Sequence, residues 1–232
     1  MMRVSATCFL LVLLCMDAAA APKKGAPNFR INPTDRLDEP GTPKASEEAQ
    51  KLSKRALAAF QKGDLATAEN DFQKVLKLAP KNAATLVNLG LIAYRQKSFV
   101  AAEEHLQKAI EAQPQAGLGW LLLGVVRYDQ DKLDGALAAL AQAVYLEPKD
   151  ARAHHYLGVT IGRKGWYSGA EEQMRTAIEL EPDYPEAHYN LAVFYLQRVP
   201  PALELARRHY YKSVDLGAEA DPEMEKKLSA GE

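Results

Sequence analysis

Small and apolar residues recur along the chain at a fixed interval of 34 residues, with mostly polar residues between them. The most regular position is an alanine, which occurs at Ala68, Ala102, Ala136 and Ala170. A small residue lies twelve positions before each alanine, and these are Ala56, Gly90, Gly124 and Gly158. A large apolar residue lies four positions after it, and these are Phe72, Leu106, Leu140 and Met174. A period of this length is typical of a repeat protein, in which each unit buries its apolar face against the next.

The spacing within one unit predicts two antiparallel helices. The small residue and the alanine fall on different helices, where the lack of side-chain bulk lets two backbones approach closely. The large apolar residue then fills the groove between the helices. A proline ends each second helix, and these prolines are Pro80, Pro114, Pro148 and Pro182. Gly63 and Gly165 suit a left-handed cap in two of the turns.

These units resemble tetratricopeptide repeats, whose general pattern is W-x2-L-G-x2-Y, then A-x3-F, then P. The unit of residues 117–150 matches this pattern at Trp120, Leu123, Gly124, Ala136, Leu140, Ala143 and Pro148. The first unit is weaker, because Arg55 replaces an expected leucine, and the fifth has two extra residues at Pro200 and Pro201. The resemblance implies an all-α fold, a right-handed superhelical solenoid of five helix pairs with a short C-terminal capping helix.

The repeats are expected to form one domain over residues 46–218, followed by the capping helix over 221–229. Their boundaries are about 49–82, 83–116, 117–150, 151–184 and 185–218. Residues 21–45 contain five prolines and few large apolar residues, which predicts a flexible linker.

Residues 1–20 are expected to be a secretory signal peptide. Arg3 precedes an apolar run, and Ala18 to Ala20 offer a cleavage site before Ala21. The protein is therefore expected to be exported, to a periplasmic or extracellular location, with no membrane span in the mature chain. An uncleaved anchor is the alternative. Cys8 and Cys15 both lie in this leader, so the mature protein would contain no cysteine.

Composition and motifs argue against several functions. The net charge of −1 gives no basic surface for nucleic acid. The common hydrolase, zinc-protease, P-loop and dinucleotide motifs do not occur, so we expect neither enzymatic activity nor a cofactor. His154 and His188 occupy equivalent positions in consecutive repeats, beside His155, and a metal site there is one alternative. No acidic residue matches them, so we favour histidines that replace the aromatic residue seen at Trp120.

In proteins similar to this one, the first helix of each repeat lines a concave groove with its second, fifth, ninth, twelfth and thirteenth residues. The groove candidates are Val87, Leu91, Tyr94, Arg95, Leu121, Tyr128, Arg152, His155, Arg163 and Tyr189. We expect the three tyrosines and His155 to be partly exposed. The ninth positions are apolar so often that binding and internal packing both stay open for them. Because they are Leu or Val rather than Asn, a clamp for a terminal carboxylate is not expected.

Three hypotheses for function remain. The first is an exported adaptor that holds a segment of a partner protein in the groove. The second is a structural subunit of a cell-envelope or secretion assembly, which packs through its convex face and its ends. The third, a binder of carbohydrate or another small ligand, is supported by the tyrosines alone. The sequence does not identify the partner or the oligomeric state.

Overall fold

The computed structural model of the protein describes residues 47–229, which are helical and contain no strand. The first six helices are α1 Glu47–Gln61, α2 Leu65–Leu78, α3 Ala83–Arg95, α4 Phe99–Ala112, α5 Gly117–Asp129 and α6 Leu133–Leu146. The others are α7 Ala151–Arg163, α8 Tyr167–Leu180, α9 Pro185–Leu196, α10 Leu203–Asp215 and α11 Pro222–Ser229. Five helix pairs and a short terminal helix are thus confirmed. The predicted leader and linker lie outside the described residues.

The described helices belong to two compact units. One comprises α1 to α6, which form three helix pairs, and the other comprises α7 to α11, which form two pairs and the terminal helix. In both units each first helix packs mainly on the second helix of its own repeat. The 34-residue period therefore corresponds to one helix pair, as predicted.

Small residues create the contact inside each pair. The four periodic alanines are fully buried. A Cβ atom at Gly124 would lie 2.5 Å from Cγ of Leu140, and one at Gly90 would lie 2.7 Å from Cγ of Leu106. Gly158 has the same relation to Met174. The large apolar residue thus occupies the space that the missing side chain leaves, which confirms the predicted packing.

The turns between the paired helices of the first four repeats share a left-handed residue. Gly63 and Gly165 have φ of 80° and 82°, as predicted for glycine caps. Lys97 and Asp131 occupy the equivalent positions in the second and third repeats, with φ of 60° and 62°. The turn geometry is therefore kept even where the sequence lacks glycine, at a conformational cost that glycine avoids.

The first and fifth repeats depart from the regular pattern in different ways. Arg55 binds the fully buried Asp71 through two hydrogen bonds, so an ion pair stands where other repeats have a leucine. In the fifth repeat, α9 ends at Leu196 and α10 begins at Leu203. Pro200 and Pro201 lie between them, as the sequence predicts.

Candidate functional site

The candidate site is, within each of the two units, the face formed by the second, fifth, ninth, twelfth and thirteenth residues of the first helices, which we call the first-helix face. Its apolar positions are mostly inside the protein. Val87 is 8% exposed, and Leu91 and Leu121 are each 1% exposed. The ninth-position residues Val125 and Val159 are also buried. Of the two alternatives left open for these positions, the structure favours packing over an open apolar floor.

Tyr94 and Tyr128 are each only 8% exposed, so the expectation that they are partly exposed is wrong. The Tyr94 hydroxyl donates to Oδ2 of Asp129 at 2.5 Å, and its ring lies 5.9 Å from that of Phe99. Burial and the nearby carboxylate raise the pKa of Tyr94 well above its ordinary value, so the hydroxyl remains a donor. The next repeat thus supplies the hydrogen-bond partner of this tyrosine.

Arg95 and Phe60 repeat this relation one unit earlier. The Arg95 guanidinium lies over the Phe60 ring, 4.1 Å from its centroid. In both cases an aromatic at the twelfth position supports the charged residue at the thirteenth position of the following repeat. Arg95 is half-exposed and Asp129 is exposed. This face therefore presents two opposite charges, and each contacts an aromatic side chain of the preceding repeat.

His155 was expected on the surface, but it is 2% exposed and the expectation is wrong. Its Nε2 lies 2.9 Å from Nδ2 of Asn190, and its Nδ1 lies 3.1 Å from the Tyr184 hydroxyl oxygen. Because the amide nitrogen is a donor, Nε2 accepts, and we assign the ring proton to Nδ1, which donates to Tyr184. Burial lowers the pKa of His155 to about 4. The residue is a neutral link between two repeats.

Of the remaining candidates, Arg152 and Arg163 lie at the two ends of α7, and Tyr189 lies within α9. Tyr189 is half-buried, in agreement with the expected partial exposure, and its hydroxyl donates to Oδ2 of Asp221 at 2.6 Å. Arg152 is half-buried and pairs with Asp150 at 2.7 Å. Arg163, also half-buried, is the last residue of α7. Within residues 148–229, Tyr189 lies on this face and also contacts Asp221, the residue that precedes the terminal helix.

The paired histidines have a structural role that the sequence predicted only in outline. Trp120 donates its indole N–H to the carbonyl oxygen of Pro114 at 2.9 Å. Nε2 of His154 lies 3.0 Å from the carbonyl oxygen of Pro148, six residues earlier, and Nε2 of His188 has the same contact with Pro182. Since a carbonyl only accepts, both histidines donate, which supports their interpretation as replacements for Trp120. Within residues 47–229, no three His, Cys, Asp or Glu side chains cluster as a metal site.

Sequence reasoning missed a set of carboxylates that join neighbouring repeats. They lie at the twenty-first position of three repeats, at Glu69, Glu103 and Glu171. Glu103 accepts from Arg127 at 2.8 Å and from Lys132 at 2.9 Å. Glu171 accepts from Arg198 at 2.9 Å, and Glu69 accepts from Gln96 at 3.1 Å. The recurrence at multiples of 34 residues was the available signal.

Comparisons with known proteins agree with this architecture. Residues 53–117 match a family model described as tetratricopeptide repeat, and residues 163–198 match one described as TPR repeat. No curated protein sequence matches the chain.

Several solved structures have the same fold. MamA from Desulfovibrio magneticus RS-1 is 19% identical, with a TM-score of 0.65 over 74% of this chain and 96% of that one. PilF of Pseudomonas aeruginosa is 18% identical, with a TM-score of 0.69 over 79% and 88%. YrrB, described as a TPR protein with an unusual peptide-binding site, is 23% identical, with a TM-score of 0.61 over 79% and 91%. The chain thus contains tetratricopeptide repeats in an all-helical solenoid. Among the described residues, no helix has the length and apolarity needed to cross a membrane.

Proposed function

We propose that this tetratricopeptide-repeat chain is an exported, non-enzymatic adaptor that binds a segment of a partner protein on its first-helix face. The main observation behind this proposal is that Phe60 and Tyr94 hold the charged groups of Arg95 and Asp129 in position. Each charged group is already positioned by an aromatic ring or hydroxyl, so a partner would bind it at a lower entropic cost. Repeats of this fold are interaction scaffolds, and the peptide-binding site described for YrrB is consistent with this proposal.

The buried residues define what such a partner would contact. Tyr94, Tyr128 and His155 are buried and stabilise the face from within, so they do not form the contact surface themselves. The second-position residues Ala84 and Leu118 are half-buried and lie on the same helices as Arg95 and Asp129. In residues 47–147 the proposed contact surface therefore has apolar residues at the starts of α3 and α5 and opposite charges at the last residues of these helices.

Site-specific photocrosslinking tests the proposal. A benzophenone amino acid at Ala84 or Leu118 should crosslink a partner in cells that make the protein, and mass spectrometry should identify the same partner from both positions. Lys108 and Glu111 are exposed on the second helix α4 and provide control positions. A partner captured from these controls, and not from Ala84 or Leu118, would contradict binding on the first-helix face.

A second candidate function, a structural subunit, is favoured by a separate observation. Several large apolar side chains are exposed on second helices, namely Leu78, Tyr145, Leu180 and Tyr211. Tyr145 alone is 78% exposed, and apolar groups of this kind can mark protein interfaces. Changing Tyr145 to serine would disrupt assembly if this face is the interface, and would leave capture from Ala84 unchanged if the adaptor function is correct.

A further inference from the structure

A solvent-open cleft of about 850 Å³ lies between two turns in the unit of residues 148–229. One wall is the turn before α8 together with the first turn of that helix, residues 165–169. The other wall is the segment after α9, residues 197–200, which contains the start of the two-proline insertion. The volume falls within the range of ordinary ligand sites. This cleft is separate from the first-helix face.

The walls of the cleft expose several apolar side chains. Trp166 is 57% exposed and Val199 is 98% exposed, and Pro200 continues the same wall. Trp166 stands where the first and second repeats have the polar residues Asp64 and Ser98. The tryptophan is thus specific to this repeat and is not part of the 34-residue packing pattern.

The polar side of the cleft has an excess of positive charge. Glu171 is 3% exposed and lies beneath two guanidinium groups, with Arg198 at 2.9 Å and Arg175 at 3.3 Å. The hydrogen bond from Arg198 holds the pKa of Glu171 below its ordinary value, so the carboxylate remains ionised. The arginine side chains are 41% and 53% exposed, so solvent meets two cations above one buried anion. Nζ of Lys164 lies 5.3 Å from the Trp166 ring and adds to this charge.

We propose that this cleft binds an acidic peptide segment of a partner protein, with a large apolar side chain against Trp166 and flanking carboxylates on Arg175 and Arg198. Charge complementarity favours an acidic occupant, because the half-exposed guanidinium groups of Arg175 and Arg198 line the cleft. Exposed guanidinium groups retain N–H donors that can bind a carboxylate in a bidentate manner. A membrane surface would also meet tryptophan and basic groups, so the test below includes lipid vesicles as a separate outcome.

Tryptophan fluorescence gives a direct test, since the chain contains only two tryptophans. Changing Trp120 to histidine removes the other fluorophore and copies the arrangement of His154, which keeps a ring N–H for the proline carbonyl. In this background we would titrate the full protein with the synthetic peptide GDELFEDG. The emission of Trp166 should shift to shorter wavelength with saturation, and its neutral analogue GNQLFQNG should bind about tenfold more weakly or less.

Two variants test the site by anisotropy with a fluorescein-labelled peptide. Trp166→Ser introduces the residue that the second repeat has at this position, and it should weaken binding about tenfold or more. Arg175→Gln should weaken it several-fold, and Arg198 stays intact so that Glu171 keeps its main partner. Val100→Ser, which changes a 70% exposed apolar residue outside this cleft, should bind like the parent. Melting by circular dichroism verifies that each variant is folded.

Three results would overturn the proposal. They are no saturable binding of the acidic peptide, equal binding of the neutral peptide, and unchanged binding by a folded Trp166→Ser protein. A shift of Trp166 emission with phosphatidylglycerol vesicles, but not with the peptide, would assign the surface to membranes instead. Because purified protein and a defined peptide are used, failure here leaves the crosslinking test of the first-helix face unaffected.

Discussion

At the scale of single residues, close contacts between paired helices depend on glycines, which have no side chain. At Gly124 an added Cβ would lie 2.5 Å from Cγ of Leu140 and 3.3 Å from its backbone nitrogen. Neither atom moves easily, because one is the branch point of a buried side chain and the other is main chain. We therefore expect Gly124→Ala to cost about 1–3 kcal/mol of unfolding free energy and Gly124→Leu to cost more. Urea denaturation measures both.

Gly169 provides the matched control for this prediction. It lies in the first turn of α8, and an added Cβ would meet only Cγ2 of Ile161, at an ordinary 3.5 Å. Because alanine favours helices more than glycine does, Gly169→Ala should leave stability unchanged or raise it by up to about 1 kcal/mol. Equal midpoints for Gly124→Ala and the parent would show that the contact is looser than the structure indicates.

His155 should make stability depend on pH. Its pKa of about 4 in the folded protein lies below the ordinary value of about 6.5, because burial disfavours the charged ring. The native state then binds fewer protons than the unfolded chain between these values. The stabilisation is complete above about pH 6.5 and is lost as the pH falls toward 4.

The comparison with His155→Gln isolates this effect, because glutamine does not titrate in this range. We expect the stability difference between parent and variant to change by up to about 1.4 kcal/mol per pH unit between pH 6 and 4.5, to the disadvantage of the parent. His209, whose pKa burial also lowers to about 4, is present in both proteins and cancels. Parallel pH profiles would contradict the assignment.

At the scale of helices, the pair α1 and α2 depends on an ion pair. Asp71 is fully buried, and beside Arg55 it has only Lys74, at 3.5 Å. Arg55→Leu should therefore cost about 1–3 kcal/mol, because it leaves a buried carboxylate poorly satisfied. The double change Arg55→Leu with Asp71→Ala copies Leu123 and Ala139 of the third repeat and should recover most of this loss. A double variant as unstable as the single one would refute this account.

The terminal helix α11 should depend on one aspartate. Asp221 accepts from the backbone N–H groups of Glu223 and Met224, and its other oxygen accepts from Tyr189. Asp221→Ala removes these bonds and should cost about 1 kcal/mol locally, with faster hydrogen exchange from Met224 to Leu228. Glu223→Ala is the control, because this exposed acid makes no comparable cap. Unchanged exchange in Asp221→Ala would mean that packing of Met224 and Leu228 alone holds the helix.

The sequence predicted helix contacts within a single repeat. It did not predict contacts that depend on a residue of the next repeat. Gly124 and Leu140 lie sixteen residues apart in one unit, so their contact follows from the period. The hydroxyl of Tyr94 binds Asp129, 35 residues later, and no pattern within one repeat indicates this partner. Lys97 shows a different limit of prediction from sequence. Glycine is the usual signal for a left-handed turn, and this turn has a lysine instead.

At the scale of the whole chain, the 34-residue period explains why the fold needs no covalent bond. Within each compact unit the repeats bury apolar residues against one another, and the described residues contain no cysteine. If the protein is exported, as we propose, it meets an oxidising environment, where disulfides are common. Helix packing would then supply the stability that small secreted domains obtain from disulfides.

Export itself is the last prediction. The apolar run from Val4 to Met16 is followed by Ala18 to Ala20, and an A-x-A site of this kind directs cleavage before Ala21. Protein purified from its native cells should therefore begin at Ala21, as N-terminal sequencing or intact mass would measure. Ala18→Tyr with Ala20→Tyr should block cleavage and leave the protein membrane-bound, because the apolar run then stays attached as an anchor. Mature protein that still begins at Met1 would contradict cleavage. The proposed binding surfaces would then belong to a protein that is tethered to a membrane.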